Sequence, residues 1–414
     1  MGFEPEEFVV EEIAPDGTVL EIGKELQRED EEGATASQYF ARFVLQKRLW
    51  TTPEAMRAVA ARLGVSQKRL GAAGNKDRNA VTTQMCSAFA VEPERVRQLR
   101  IKDISINGAW RSGKKVGLGD LAGNRFTVTL NEKSCGKRIS AAEILADAEK
   151  NGYAVPNYFG SQRFGSTRRN THLVGRLLLE GRHEDAVMAY LCAPGDTNLA
   201  AARARRDLSE SRDFRQALAG FPRHLKFERR MIAHLALHPG DFLGAFRRLH
   251  RSSQLLFVHA VQSWLFNRKA RMRADDGTLL TPRDGDRLCM LDGMGFPDAD
   301  SAKKIPEDAT AEEAGRLVSE GRAVLAANII GYASELTADE NALLAAEGIS
   351  KEFFRPRSMP ELSSKGALRP LFVFLRGFEA RDSEDGVVAR FSLPSGSYAT
   401  VALDELLGNQ HDVF

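Results

Sequence analysis

The chain has 414 residues, 43% hydrophobic and 28% charged, a length that exceeds one ordinary core and predicts two or three domains. No stretch approaches the roughly 18 apolar residues that span a bilayer. The opening Met1-Gly2-Phe3-Glu4-Pro5-Glu6-Glu7 has neither the basic region nor the apolar core of a signal peptide, so no membrane partner is expected and the expected location is the cytoplasm. The formal charge is only +2, with 58 Lys and Arg against 56 Asp and Glu. Any surface for nucleic acid must therefore be a local patch.

Taken in chain order, the first third mixes strands and helices. Thr51 to Glu54 forms a capping box with Pro53 inside the first turn, and an Ala-rich amphipathic stretch runs from it to Gly64. Phe126, Val128 and Leu130 alternate with Thr127 and Thr129, the period of a half-buried strand. A second capping box, Ser140 to Glu143, predicts a helix that stops before Gly152. From about 170 to 270 the pattern is helical, with Leu173, Leu177, Leu178, Ala186, Met188 and Leu191 spaced for helix faces. Further helical stretches lie around 311–321 and 336–347, and strands return where Ala389, Phe391 and Leu393 alternate with Arg390 and Ser392 before the turn Pro394-Ser395-Gly396-Ser397. The pattern predicts a sheet domain interrupted by a largely helical insertion.

Candidate basic patches are Lys114-Lys115, Arg168-Arg169, Arg203 with Arg205-Arg206, Arg229-Arg230, and Arg247-Arg248 with Arg251. Each alone reads as a solvated helix face. Cys86, Cys135, Cys192 and Cys289 are far apart and form no CxxC pair, so neither a disulfide framework nor a zinc knuckle is expected. His234 and His238 lie one helical turn apart without HExxH or a third ligand. They read as surface or packing residues, and no metal is expected.

Two segments carry chemistry. Gly74-Asn75-Lys76-Asp77-Arg78-Asn79-Ala80-Val81-Thr82-Thr83-Gln84 is a polar loop followed by a run able to enter a sheet. It sets one carboxylate between two cations, which favour the charged form that acts as nucleophile or base. The bland reading, a charged surface turn, is the commoner fate of such residues. The second segment, Asn157-Tyr158-Phe159-Gly160-Ser161-Gln162-Arg163-Phe164-Gly165, combines aromatics, glycines and hydrogen-bonding heads. Glycines permit close approach, and an aromatic beside an amide suits stacking and edge recognition of a flipped base. An aromatic loop sealing a core is an equal reading for any one of its rings.

Together, Gly-x-Lys-Asp-x-x-Ala-x-Thr-x-Gln and Asn-x-Phe-Gly-x-Gln-Arg-Phe-Gly resemble the TruD family of pseudouridine synthases. Similar matches run over nearly the whole chain: Glu6 to Glu12, Gly119 to Phe126, Phe257 to Asn267, Leu362 to Gly366 and Leu393 to Thr400. The last three are similar to archaeal members. The resemblance implies an α+β fold with a discontinuous catalytic core, a mixed and mainly antiparallel sheet with helices at 1–168 and 355–414, interrupted by an inserted, largely helical α/β TRUD domain at 169–354.

It also implies an isomerase that converts uridine to pseudouridine at position 13 of tRNA, with no cofactor and no obligate protein partner. Carried over by motif position, Asp77 is the catalytic carboxylate, and Phe8, Lys76, Asn157, Phe159 and Tyr398 bind the target nucleotide. Bacterial relatives tend to carry Phe where Tyr398 stands, Asp404 stands where the family pattern has an arginine, and Gly2 stands where relatives carry a basic residue. The last departure leaves an upstream start or a missing electrostatic partner as the expectation. Two readings of different class stay open at this point: a working synthase, and an RNA-binding relative that has lost turnover. The substrate also stays open to precursor tRNA or other RNA.

Overall fold

The two alternating runs expected as strands are neighbours in one sheet of a computed structural model that describes residues 2–31, 38–165, 167–195, 198–283, 285–298, 301–304 and 311–409. Described residues within 1–155, 291–297 and 373–410 form one compact unit, and those within 156–290 and 298–372 form a second.

The first unit is built on an eight-stranded sheet. Its strands are β1 (Phe8–Ile13), β2 (Phe40–Arg48), β3 (Leu70–Ala72), β4 (Val81–Phe89), β5 (Ile104–Ser112) and β6 (Gly123–Leu130), with the hairpin Arg376–Ser383 and Gly386–Pro394. The hairpin lies beside β6, followed by β1, β4, β2 and β5, while β3 pairs with β4. All pairings are antiparallel except that of β1 with β4, where Val9 stands opposite Val81. That parallel pair brings the segments leading into β1 and β4 to the same end of the sheet.

Register follows from the apolar alternation. Phe126 stands opposite Phe391 and Val128 opposite Ala389, and Val10 and Phe8 continue the same face from β1. The Phe126 and Phe391 rings stack with centroids 5.6 Å apart, an arrangement worth about 0.5–1.5 kcal/mol beyond burial. Helices Ala141–Lys150 and Ala399–Leu406 cover this face through Ile144, Ala148, Leu403 and Leu406. Farther along the sheet, α1 (Thr52–Leu63) buries Ala55, Met56, Val59, Ala60 and Leu63 against β2 and β4. Thr51 and Glu54 close the capping box, and Gly64 ends the helix at φ 69°. The Ser140–Glu143 box is closed as well.

The second unit is mostly helical. Helices Thr171–Leu179, His183–Cys192, Leu199–Ser211, Lys226–Leu237 and Arg251–Asp275 share a core that includes Val174, Leu178, Leu191, Met231, Phe257 and Val261. An antiparallel four-stranded sheet accompanies them, in the order Ala367–Pro370, Ala323–Ile329, Arg287–Met290, Lys303–Lys304. Helices Ala311–Ser319 and Ala338–Ala346 match the two late helical stretches of the sequence. Among the described residues, no helix is long and apolar enough to cross a membrane.

One glycine decides how closely two of these helices approach. A Cβ added at Gly175 would lie 2.1 Å from the Phe257 carbonyl oxygen and 2.9 Å from a Val261 methyl. Alanine is the better helix former by about 1 kcal/mol, but backbone at that distance must move, and overpacking of this kind costs about 1–3 kcal/mol. Gly175→Ala is therefore expected to lower the midpoint of urea unfolding followed by far-UV circular dichroism; an increase would mean that propensity outweighs the close approach.

Candidate active site

The Asp77 loop joins β3 to β4 and is held from beneath by a lysine. Lys47 belongs to β2, between β4 and β5, and is 1% exposed. Its ammonium donates to the carbonyl oxygens of Trp50 at 2.7 Å, Asp77 at 2.8 Å and Lys76 at 3.3 Å. An ammonium has three donors and no acceptor, so these bonds consume its full capacity. The Asp77 side chain itself is exposed. A mobile loop would give its carboxylate many positions; two charge-assisted bonds to the loop backbone, at Lys76 and Asp77, restrict them.

A second set of bonds fixes the other side of the loop. The Thr52 hydroxyl accepts from the Lys76 N–H at 2.9 Å and donates to Gln84 Oε1 at 2.8 Å, and Gln84 Nε2 donates to the Gly74 carbonyl at 3.2 Å. Thr52 and Gln84 are buried. The start of α1 and the start of β4 thus grip the loop between them.

The Lys76 side chain turns inward. Its ammonium pairs with Glu12 Oε2 at 2.8 Å and donates to Asn124 Oδ1, while Glu12 Oε1 accepts from the Met85 N–H at 2.8 Å. Glu12 is 0% exposed. Burial pushes its carboxyl up, and the Lys76 charge and hydrogen bond pull it back. Removal of one partner from such a pair costs about 3–5 kcal/mol, because it strands the other charge. The cation whose ammonium lies beneath the Asp77 backbone is Lys47, which the sequence reading did not single out.

Burial lowers the Lys47 ammonium to about 8 from its ordinary 10.5, with the Lys76 charge acting in the same direction and Asp77 and Cys86 opposing it. Holding it charged below pH 8 costs about 3 kcal/mol of stability. Between the folded and unfolded values the unfolded chain binds more protons, so the stability contribution of this group rises with pH through that window. In the folded chain the ammonium loses its charge as pH rises through about 8, and its bonds to the loop carbonyls lose their charge assistance with it.

Phe8 and Tyr398 also belong to the first unit. Phe8 is 4% exposed, its ring 5.2 Å from that of Phe3 and 6.1 Å from that of Phe126, and it shares a cluster with Ala80, the residue just before β4. Tyr398 is half-buried at the N-cap of Ala399–Leu406, after the tight turn expected there. Asp404, at the departure from the family pattern, accepts from Asn409 Nδ2 at 3.1 Å near the end of that helix.

Asn157 and Phe159 lie in the second unit and meet Arg369, which the sequence did not single out. Arg369 is 9% exposed. It donates from Nε to the Asn157 carbonyl at 3.0 Å and from NH2 to Asn157 Oδ1 at 2.8 Å, and its guanidinium lies 4.1 Å from the Phe159 ring centroid. Asn157 Nδ2 donates to the Pro370 carbonyl at 3.1 Å. Asn267, from helix Arg251–Asp275, accepts from the Phe159 N–H at 2.7 Å and donates to its carbonyl at 3.0 Å. The aromatic motif is thus clamped at both backbone and ring. Within each unit the motif residues come together: Lys76 and Asp77 with Lys47 in the first, Asn157 and Phe159 with Arg369 in the second.

Two basic clusters are partly structural. The buried Arg205 and Arg168, 14% exposed at its side chain, converge on Glu228, with NH2 to Oε1 distances of 2.8 Å and 3.6 Å. Arg247 pairs with Glu361 at 3.2 Å. His234 is a packing residue, its Nε2 2.7 Å from Asp241 Oδ2.

Lys47→Met is expected to reduce turnover at least tenfold and to remove a decline in kcat that sets in above pH 8 in the wild type; kcat profiles from pH 6.5 to 9.5 check this, and a decline that persists in the variant contradicts it. Arg369→Ala strips the charged partner from Asn157 and Phe159 and is expected to lower stability by about 2–4 kcal/mol. Urea unfolding measures it, and a loss under 1 kcal/mol would show the clamp to be incidental.

Comparisons with known proteins bear on this geometry. The family model described as tRNA pseudouridine synthase D (TruD) matches residues 3–406. A "Probable tRNA pseudouridine synthase D" of Methanosarcina acetivorans is 35% identical, covering 98% of this chain and 91% of that protein. One from Methanocaldococcus jannaschii is 34% identical over 97% of this chain and 94% of its own. A crystal structure assigned to TruD of Methanosarcina mazei superposes with a TM-score of 0.77 at 35% identity, covering 98% of this chain and 92% of that one. With a pinned Asp77 loop, a clamped Asn-x-Phe-Gly motif and matches along nearly its full length, the chain belongs to the tRNA pseudouridine synthase D (TruD) family.

Proposed function

We propose that Asp77 is the catalytic carboxylate of the isomerisation that TruD membership assigns to this chain, conversion of uridine to pseudouridine in tRNA, and that the target is position 13. The observation that carries the reading is an exposed carboxylate on a loop whose backbone is pinned by the buried Lys47.

The reaction exchanges the ribose C1′ bond to N1 for one to C5, and a proton leaves C5 while one is gained at N1. Atoms and oxidation level balance without a co-reactant, so one held carboxylate suffices in principle and no cofactor is required. Asp77 either attacks C1′ as the N1 bond breaks, forming a C1′–carboxylate ester that C5 displaces once the uracil has turned, or takes the C2′ proton as the N1 bond breaks and returns it to C2′ when C5 closes on C1′; both routes regenerate the carboxylate. Both routes demand a carboxylate held in place against the ribose, and the Lys47 and Thr52 bonds supply that positioning.

The uridine must first leave its stack, at a cost of a few kcal/mol. We assign Asn157 and Phe159 to hold it, Phe8 and Tyr398 to line its pocket, and Lys76 to support the loop through Glu12. Catalysis is assigned to 1–168 and 355–414, and grasp of the RNA to 169–354. The protein is placed in the cytoplasm with its tRNA.

The test is formation of pseudouridine in unmodified tRNA transcripts, detected as carbodiimide-dependent primer-extension stops. Wild type is expected to give a stop at position 13, and Asp77→Asn none above background. Product from Asp77→Asn would refute the assignment of Asp77, and a stop elsewhere would refute position 13.

A further inference from the structure

Beside the Asp77 loop, within the first unit, lies a groove of about 470 Å³. Leu49, Trp50, Ala58 and Ala61 give it an apolar lining, and Arg57 and Arg78 bring cations to it. Arg78 is the residue after Asp77. Trp50 is tied to the same loop, since its carbonyl shares the Lys47 ammonium with the carbonyls of Lys76 and Asp77. The groove is therefore tied to the candidate site through one buried charge.

Three features distinguish it from an ordinary surface hollow. Leu49 is 41% exposed and sits at φ 59°, a backbone region that residues other than glycine seldom occupy. Such strain persists where the surroundings impose it, and here it carries a large apolar side chain into solvent beside an indole. The Trp50 ring is oriented, because its Nε1 donates to the Lys102 carbonyl at 3.2 Å. Arg57 and Arg78 are exposed, and neither makes a side-chain hydrogen bond or salt bridge among the described residues. Glu54, the acid that also lines the groove, is committed to the helix cap by bonds to the Thr51 N–H and hydroxyl.

Arg57 and Arg78 act on the Glu54 carboxylate only through their charge, and an oriented aromatic with exposed guanidinium groups beside it is the chemistry that binds single-stranded nucleic acid: bases stack on the ring and phosphates meet the cations. We propose that this groove takes the nucleobase flanking the target uridine in the RNA strand, stacked on Trp50, with the adjoining phosphate on Arg57 and Arg78. The inference rests on the reading of Asp77 as the catalytic group. It gives that site a second foothold: extrusion of one nucleotide deprives its neighbour of a stacking partner, and Trp50 replaces it. Stacking tolerates any base, so the groove sets register along the strand rather than sequence.

The experiment is single-turnover kinetics on tRNA transcripts that are intact or abasic at one of the two nucleotides flanking the target, with wild type, Trp50→Ala, Trp50→Phe and Arg57→Ala. On intact transcript Trp50→Ala is expected to lose about tenfold in kcat/KM, and Trp50→Phe to recover most of it. An abasic site at one flank should cost wild type a similar factor and Trp50→Ala nothing further. Arg57→Ala, on the exposed face of its helix, should raise KM severalfold and lower the slope of log binding against log salt by about one. Losses that multiply at both flanks, or an unchanged salt slope, would overturn the groove as a nucleotide site. If Trp50→Ala fails to fold, the Arg57→Ala slope decides. If wild type itself forms no pseudouridine, the catalytic reading fails, and filter binding of the same transcripts to Arg57→Ala still decides the groove.

Discussion

A single buried ammonium organises the end of the first unit that carries the Asp77 loop. Lys47 lies inside the sheet with its three donors on the carbonyls of Trp50, Lys76 and Asp77. A charge so placed is costly, and its lowered protonation range reports that cost. The return is geometric: those carbonyls sit where strand pairing does not reach, and one cation satisfies them together. The start of α1, the Asp77 loop and the groove lined by Trp50 all depend on it.

Around this charge the remaining polar groups are spent in supporting order. Thr52, the first residue of α1, serves the helix and the loop at once, with its hydroxyl on the Lys76 N–H. The Glu12–Lys76 pair links β1 to the loop across a fully buried carboxylate, and loss of either partner would strand the other charge. Asp77 is left as the exposed carboxylate on a backbone with little freedom. In the second unit the same economy recurs with Arg369, which serves Asn157 and the Phe159 ring together.

Legibility in the sequence follows how local each signal is. The Thr51 and Ser140 caps, the Gly64 stop and the strands through Phe126 and Phe391 depend on residues within a few positions or on a simple alternation, and all are present in the fold. Lys47 was illegible, because in Phe40–Arg48 it reads as one more polar strand residue, and carbonyls thirty positions away carry no signature. Lys76 stood in a legible motif, yet its direction did not, since Glu12 is remote in sequence. Arg168 and Arg205 stand in basic clusters that read singly as solvated helix faces, and their shared partner Glu228, remote from Arg168 in sequence, leaves no local signal that either is engaged. Phe159 reads from the sequence as a base-stacking residue, and nothing near it in sequence signals the Arg369 guanidinium that lies against its ring.

The central claim is that chemistry at Asp77 depends on the order that Lys47 imposes on its loop. Amide hydrogen exchange of segment 74–80, measured beside the single-turnover rate in wild type and Lys47→Met, tests it most directly. The account predicts that exchange in this segment accelerates and the rate falls together, while α1 and β4 stay protected. A rate that falls with loop exchange unchanged, or exchange that rises with the rate intact, would contradict it.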